Sequence, residues 1–201
     1  MGKIISFEGI HGCGKSTQAE MLYSYLLGKN INVKHFSSRD KVLSKYIMGF
    51  LEKEGPQKAE ILFHLALAND LTLNEKFETN ADSIFILDRY IHTNIVSAYM
   101  AGKSMKWAVE KSKVLISPDI TYLIDLPSRS AHERKDGQTN GIERGDFQSE
   151  FLGLGFIDYQ DKMRKSYLDV AKKDSRMIVI DGRRGRNDCH EEILKSLEDG
   201  L

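Results

Sequence analysis

Apolar positions along the chain fall into two rhythms. Short, nearly continuous runs rich in Ile, Val, Phe and Leu lie at residues 3–7, 32–36, 83–87, 120–124 and 177–180. Each is too short for a helix and reads as a buried strand. Between them, apolar residues recur every three or four positions at 16–27, 58–79, 93–100, 151–171 and 189–197, which reads as helix. Alternating strand and helix predicts a parallel sheet, because parallel neighbours need a crossover and right-handed crossovers lay their helices over the sheet. The predicted fold class is α/β, a five-stranded parallel sheet with helices on both faces. Four of the strands run straight into a carboxylate, at Glu8, Asp88, Asp125 and Asp181. Ligands of open α/β sheets bind outside the carboxyl ends of the strands, so these acids mark the expected working edge.

Composition narrows the picture. A chain of 201 residues suits one domain, expected to span residues 1–201, and 41% hydrophobic residues can fill its core. Basic and acidic residues balance at 29 each, which removes the uniform positive field that binds nucleic acid without regard to sequence. No nucleic-acid partner is expected. Cys13 and Cys189 are too far apart in sequence for a clip or a disulfide framework, which points to a reducing, cytoplasmic setting. No apolar run approaches the ~18 residues of a spanning helix, and Met1 opens directly onto a strand-like segment, so neither membrane contact nor a leader is expected. Pro56, Pro118 and Pro127 fall between the periodic segments and punctuate loops. Residues 128–146 are polar, with Arg129, Arg134, Lys135, Arg144 and three glycines. With hardly an apolar anchor, the segment reads either as a flexible lid or as a solvated insertion.

The strongest chemical signal is the run Gly9-Ile10-His11-Gly12-Cys13-Gly14-Lys15-Ser16, which fits GxxxxGK[ST] and lies between the first strand and the first helix. Backbone N–H groups converge on an anion only where side chains do not block the approach, hence Gly9, Gly12 and Gly14. The helix that follows adds its N-terminal dipole, Lys15 a point charge for the β and γ phosphates, and Ser16 a hydroxyl placed to ligate Mg²⁺. The run therefore predicts a nucleoside triphosphate site. No NKxD follows a strand and no apolar run ends in paired acids, which argues against a GTPase switch and a motor ATPase. A small chain with a basic flap suits phosphoryl transfer, in which positioning and charge neutralisation do the work and water must be excluded. Asp88-Arg89-Tyr90 closes the third strand on the same edge. There a carboxylate can hold Mg²⁺ or its waters, and a guanidinium fork suits two oxygens of an acceptor phosphate.

At Phe7-Glu8-Gly9-Ile10, Gly14-Lys15-Ser16-Thr17-Gln18, Asp88-Arg89-Tyr90 and Pro118-Asp119 the chain resembles the thymidylate kinase family of P-loop nucleoside monophosphate kinases, in order and in approximate spacing. The resemblance extends through residues 159–171 and the strand end Val179-Ile180-Asp181. It implies transfer of the γ-phosphoryl of ATP to dTMP with Mg²⁺, usually by a homodimer, with residues 9–17 holding ATP and small nucleotides as the partners. Arg39, after the second strand in Phe36-Ser37-Ser38-Arg39, resembles the family's acceptor-phosphate arginine, with Ser37 in place of a proline. Gly12 lies where some members carry an arginine. The others supply arginines from the lid, which the resemblance assigns to Arg134 and Arg144, with Arg129 a further candidate.

The acceptor side departs from the family. His11 sits where an acidic residue usually touches the sugar. The segment Phe63-His64-Leu65-Ala66-Leu67-Ala68-Asn69-Asp70 resembles the base-binding helix, with Phe63 placed to stack on a pyrimidine, but Leu67 or Asp70 stands where the base-reading arginine would be. Thr93 and Asn94 match the base-facing pair, while Tyr99 comes two residues later than the tyrosine that discriminates against ribose. The expected catalytic groups are Lys15, Arg89, Arg134 and Arg144; Ser16 and Asp88 are the expected metal ligands. Alternatives are a kinase for another (deoxy)nucleoside monophosphate, a deoxynucleoside kinase with Glu8 as base, and a nucleotide-binding regulatory protein without turnover. Arg39 argues against the nucleoside kinase, because a neutral acceptor needs no second phosphate clamp.

Overall fold

The computed structural model describes residues 2–37, 59–146 and 155–200. Strands β1 (Lys3–Glu8), β2 (Val33–Phe36), β3 (Ile84–Asp88), β4 (Ile120–Asp125) and β5 (Met177–Asp181) form one sheet. Its order is β2-β3-β1-β4-β5 and every neighbouring pair is parallel. The strands lie where the apolar runs placed them. From β1 the chain passes to the edge at β2, returns to β3 beside β1, then crosses β1 to β4. That reversal makes the carboxyl end of β1 a topological switch point, where a crevice opens. The register sets Phe7 beside Asp88 and Glu8 beside Leu123, which brings β1 and β3 to a common end.

Helices flank the sheet in two groups. In one, α1 (Lys15–Gly28) lies along β1, β2 and β3 and packs on α9 (Arg186–Gly200), which reaches β5. In the other, α4 (Ile91–Met100) packs on α2 (Ala59–Leu71), on α5 (Met105–Ser112) and on α8 (Gly155–Ala171), and α8 reaches β4 and β5. Both faces of the central strands are covered, and Ile4, Ile5, Phe7, Phe85, Ile86 and Leu87 are fully buried. That is why these strands read as unbroken apolar runs. Among the described residues no helix is long and apolar enough to cross a membrane.

Three expectations change. The helix expected over 58–79 is two helices, α2 and α3 (Asn74–Thr79). The Leu73 N–H bonds to the Asp70 carbonyl at 3.0 Å, a tighter turn that swings Leu73 into the core. Helix α5 was not expected. Its signal was Ser104, whose hydroxyl accepts from the Trp107 N–H at 3.2 Å and caps the first turn. The segment 128–146 is also better anchored than its composition suggests. It forms α6 (Ser128–Arg134) and α7 (Gly141–Arg144), both packed against α8, with Ala131 fully buried. Residues 151–154, expected to open α8, lie outside the described residues.

Phe77 on α3 is fully buried, its ring edge-on to Phe85 at 4.8 Å and to Tyr90 at 6.1 Å. Phe77→Ala is expected to lower the unfolding free energy by about 3–5 kcal/mol, read from urea midpoints at unchanged slope. A change under about 1 kcal/mol would mean that the sheet edge closes over the space.

Candidate active site

The loop between β1 and α1 turns on glycines. Gly9, Gly12 and Gly14 have φ of 137°, 79° and 102°, a region open to glycine and strained for other residues. At Gly12 there is no room for a side chain either: a Cβ would lie 2.7 Å from the Ala131 carbonyl oxygen and 3.1 Å from the Lys135 side chain. Helix α6 thus fills the space a cradle arginine would need, and basic groups must come from elsewhere. Lys15 opens α1 with its side chain buried and its Nζ donating to the Ile10 carbonyl at 3.2 Å. Burial and then the neighbouring Arg89 charge lower its pKa. Such an ammonium gains most from an arriving anion. Ser16 and Thr17, on the first turn, are exposed.

Of the four strand-end carboxylates, two stay at the site. Asp88 is 5% exposed and its Oδ1 has no hydrogen-bond partner among the described residues. An unpartnered buried carboxylate oxygen and an open Ser16 hydroxyl are hard oxygen donors that fit Mg²⁺ held otherwise by phosphates and water. Glu8 is fully buried and saturated. Its Oε1 accepts from the N–H groups of Tyr90 (2.9 Å) and Thr93 (3.2 Å), and its Oε2 accepts from the Thr93 hydroxyl at 2.5 Å. The other two acids are claimed as ion pairs, contrary to the expected working edge. Arg164 binds Asp125 through two bonds of 2.6 and 2.8 Å, and Arg183 binds Asp181 at 2.7 Å.

Arg89 leaves β3 with φ of 73°, and its N–H prolongs the sheet by bonding to Phe7 at 3.0 Å. Its Nη1 donates to the Thr93 hydroxyl (3.1 Å) and the Tyr167 hydroxyl (3.2 Å). Burial opposes its charge, but the electron-rich neighbours Tyr167, Asp88 and Glu8 prevail and raise its pKa.

The 128–146 segment lies against this cradle. Glu143 of α7 pairs with His11 Nδ1 at 3.4 Å and Lys135 Nζ at 3.0 Å, and accepts from the Asn140 N–H at 3.1 Å. Burial would raise the Glu143 carboxyl, but those bonds outweigh it and hold the pKa down at about 2. Gln160 of α8, fully buried, accepts the His11 N–H at 3.1 Å and donates to the Glu143 carbonyl at 2.7 Å. Gly145, with φ of 74°, lies so close to Tyr159 that a Cβ would come within 2.4 Å of the ring. Arg134 spans two carbonyls, those of Cys13 (3.4 Å) and Gly182 (2.7 Å). Arg144 is tied within the segment to Asp146 (2.6 Å) and Thr139 (2.8 Å), and Arg129 is exposed.

The acceptor-side residues divide. Thr93 joins the Arg89 cluster. Asn94 is buried and donates its side-chain amide to Asp70 at 2.9 Å. Tyr90 is fully buried and Phe63 nearly so, its ring 4.9 Å from that of Trp107. Both side chains serve the core here, and Tyr90 meets the site through its backbone N–H. Tyr99 is 47% exposed, and Arg39 lies outside the described residues. Tyr167, Gln160 and Lys135 were missed by sequence reasoning. Only Lys135, next to Arg134 in a basic run, carried a local signal.

A β2-β3-β1-β4-β5 parallel sheet, with a glycine cradle leading into α1 and an arginine beyond β3, defines a P-loop kinase. The family model "Thymidylate kinase" matches residues 7–193. A thymidylate kinase of Plasmodium falciparum is 29% identical over 98% of this chain and 90% of its own, and one of Fervidobacterium nodosum 32% identical over 95% and 96%. In fold, the crystal structure of a thymidylate kinase from Ehrlichia chaffeensis aligns with TM-score 0.66 at 22% identity, covering 98% of both chains. The chain belongs to the thymidylate kinase family.

Partial burial, then the Arg89 charge, lowers His11 from 6.5 to about 4, against the opposing pull of Glu143. Between those values the unfolded chain binds a proton that the folded one refuses, so stability rises with pH through the window and is lost as pH falls. Denaturant titrations should show a shallower rise between pH 4 and 6.5 in His11→Asn than in the unaltered protein. Equal slopes would place His11 in bulk-like solvent.

Proposed function

We propose that this chain is an ATP-dependent dTMP kinase that moves the γ-phosphoryl of ATP onto the 5′-phosphate of dTMP, giving dTDP and ADP. The carrying observation is the pairing of Lys15 with Arg89. Two cations, Lys15 buried at the cradle and Arg89 half-buried at the end of β3, lie near enough for one to lower the other's pKa. Two phosphates brought together in line, donor and acceptor, match that arrangement. The acceptor phosphate is already an anion at neutral pH, so no general base is needed. The saturated Glu8 supports this over a nucleoside kinase, because its oxygens are committed to Tyr90 and Thr93.

In this reading the N–H groups of residues 9–17 and Lys15 hold the ATP phosphates. Arg89, with Arg39, clamps the acceptor phosphate, and Thr93, Asn94 and Tyr99 lie on the nucleoside side, with Phe63 in the core behind them. Ser16 and Asp88 hold Mg²⁺, which supplies neutralisation of the phosphoryl oxygens when bound. Residues 128–146 are the lid. Arg134 stands beside the loop already, bonded to Cys13, whereas Arg144 must leave Asp146 to reach developing charge. Two free buried cysteines accord with a cytoplasmic enzyme. Exposed Leu71, Tyr99 and Val109, on the mutually packed α2, α4 and α5, accord with a homodimer.

The test is diphosphate formation from ATP and Mg²⁺ with dTMP, dUMP, UMP, dCMP, dGMP and thymidine in turn. The expected result is dTDP from dTMP, no product from thymidine, and a loss of at least about 10²-fold in Lys15→Ala. Turnover of a different monophosphate alone would replace the acceptor. All acceptors at the Lys15→Ala background, with ATP still bound, would leave a regulatory protein instead.

A further inference from the structure

We propose that Tyr167, acting with Thr93 and Glu8, is the positioning device that aims the Arg89 guanidinium at the acceptor phosphate. This rests on the kinase reading above and goes beyond it, to residues far from the cradle in sequence.

The direction of each hydrogen bond follows from one fixed point. The Glu8 carboxylate can only accept, so the Thr93 hydroxyl donates its single proton to Glu8 Oε2 at 2.5 Å. The contact of 2.8 Å between the Thr93 and Tyr167 hydroxyls then has Tyr167 as donor. With both protons committed toward Glu8, both oxygens turn lone pairs to Arg89 Nη1, at 3.1 and 3.2 Å. The three anchors come from different elements: Glu8 from β1, Thr93 from α4 and Tyr167 from α8. A long, rotamer-rich side chain is thereby held by two hydroxyls, one of them fixed in turn by Glu8, before any ligand arrives, which lowers the entropy lost on binding.

The chemistry of the acceptors matters as much as their geometry. A carboxylate placed directly on Arg89 Nη1 would hold it more tightly, but it would also compete with the phosphate for the same charge. Nη1 instead donates to two neutral hydroxyls, and the negative charge of Glu8 reaches it through the Thr93 hydroxyl. Burial pushes the Tyr167 hydroxyl pKa up, so that it stays protonated and neutral at physiological pH. The two hydroxyls hold the guanidinium in place without cancelling its charge.

Tyr167→Phe removes one acceptor from Nη1 and leaves Thr93 Oγ1 without its donor, at nearly unchanged volume. The expected result is a KM for dTMP raised about tenfold with the KM for ATP within about twofold, the size expected for one hydrogen bond to a charged group. Thr93→Val should behave alike, and Thr93→Ser should restore the unaltered KM. A second readout needs no turnover. In ¹⁵N-arginine-labelled protein, the Arg89 side-chain signals, identified by their loss in Arg89→Lys, should be resolved by restricted rotation and should merge by averaging in Tyr167→Phe. Unchanged Arg89 signals in Tyr167→Phe, or KM values for dTMP and ATP that rise together, would overturn the proposal. Merged signals in a protein that phosphorylates no acceptor would sink the kinase reading and leave the positioning role standing.

Discussion

Two positive charges lie close together in this molecule, and the structure is organised around tolerating them. Lys15 is buried, Arg89 is half-buried, and the charge of Arg89 acts on Lys15. Water screens them poorly there, so nearby oxygens must. The Ile10 carbonyl, the Thr93 and Tyr167 hydroxyls, and the acids Asp88 and Glu8 form that environment. The parallel sheet makes this possible by ending β1 and β3 together, which brings a glycine loop and an arginine turn within reach of one another. A phosphate completes the arrangement by supplying the negative charge that the protein supplies only in part.

Much of this was legible in the sequence because it depends on local spacing. The strands announced themselves as apolar runs, and the cradle as glycines at positions where a side chain would collide with α6 or take a strained φ. Asp88 and Arg89 were found because a strand end is a sequence event. The same rule overreached at Asp125 and Asp181, which share the pattern but are neutralised by Arg164 and Arg183. Arg183 stands two residues from its acid and was readable in principle. Arg164 stands 39 residues away and was not. Tyr167 lies 78 residues beyond Arg89 and meets it only once α8 has packed on α4. Helix α5 was obscured by its lysines, and Ala131, which the 128–146 segment buries, is too small to register as an apolar pattern.

The departures from the family gather on the nucleoside side. Leu67 is buried, and Asp70, also buried, holds the amide of Asn94. Whichever of the two positions matches the family's arginine, the residue found there is committed to the interior: one packs, the other orients a neighbour. His11 departs in a similar way. In place of a carboxylate it presents a largely neutral ring that pairs with Glu143 of α7. The glycine cradle and Asp88-Arg89-Tyr90 keep the family's pattern, while His11, Leu67 and Asp70 depart from it.

Gln160 gives the pieces a mechanical relation. One planar amide accepts from the glycine loop at His11 and donates to the 128–146 segment at Glu143. The plane has a donor end and an acceptor end that cannot be exchanged without presenting the wrong atom to each partner. It is therefore keyed to one arrangement of α7 and the glycine loop. Together with the His11–Glu143 pair and the Arg134–Cys13 bond, it ties the 128–146 segment to the loop that leads into α1.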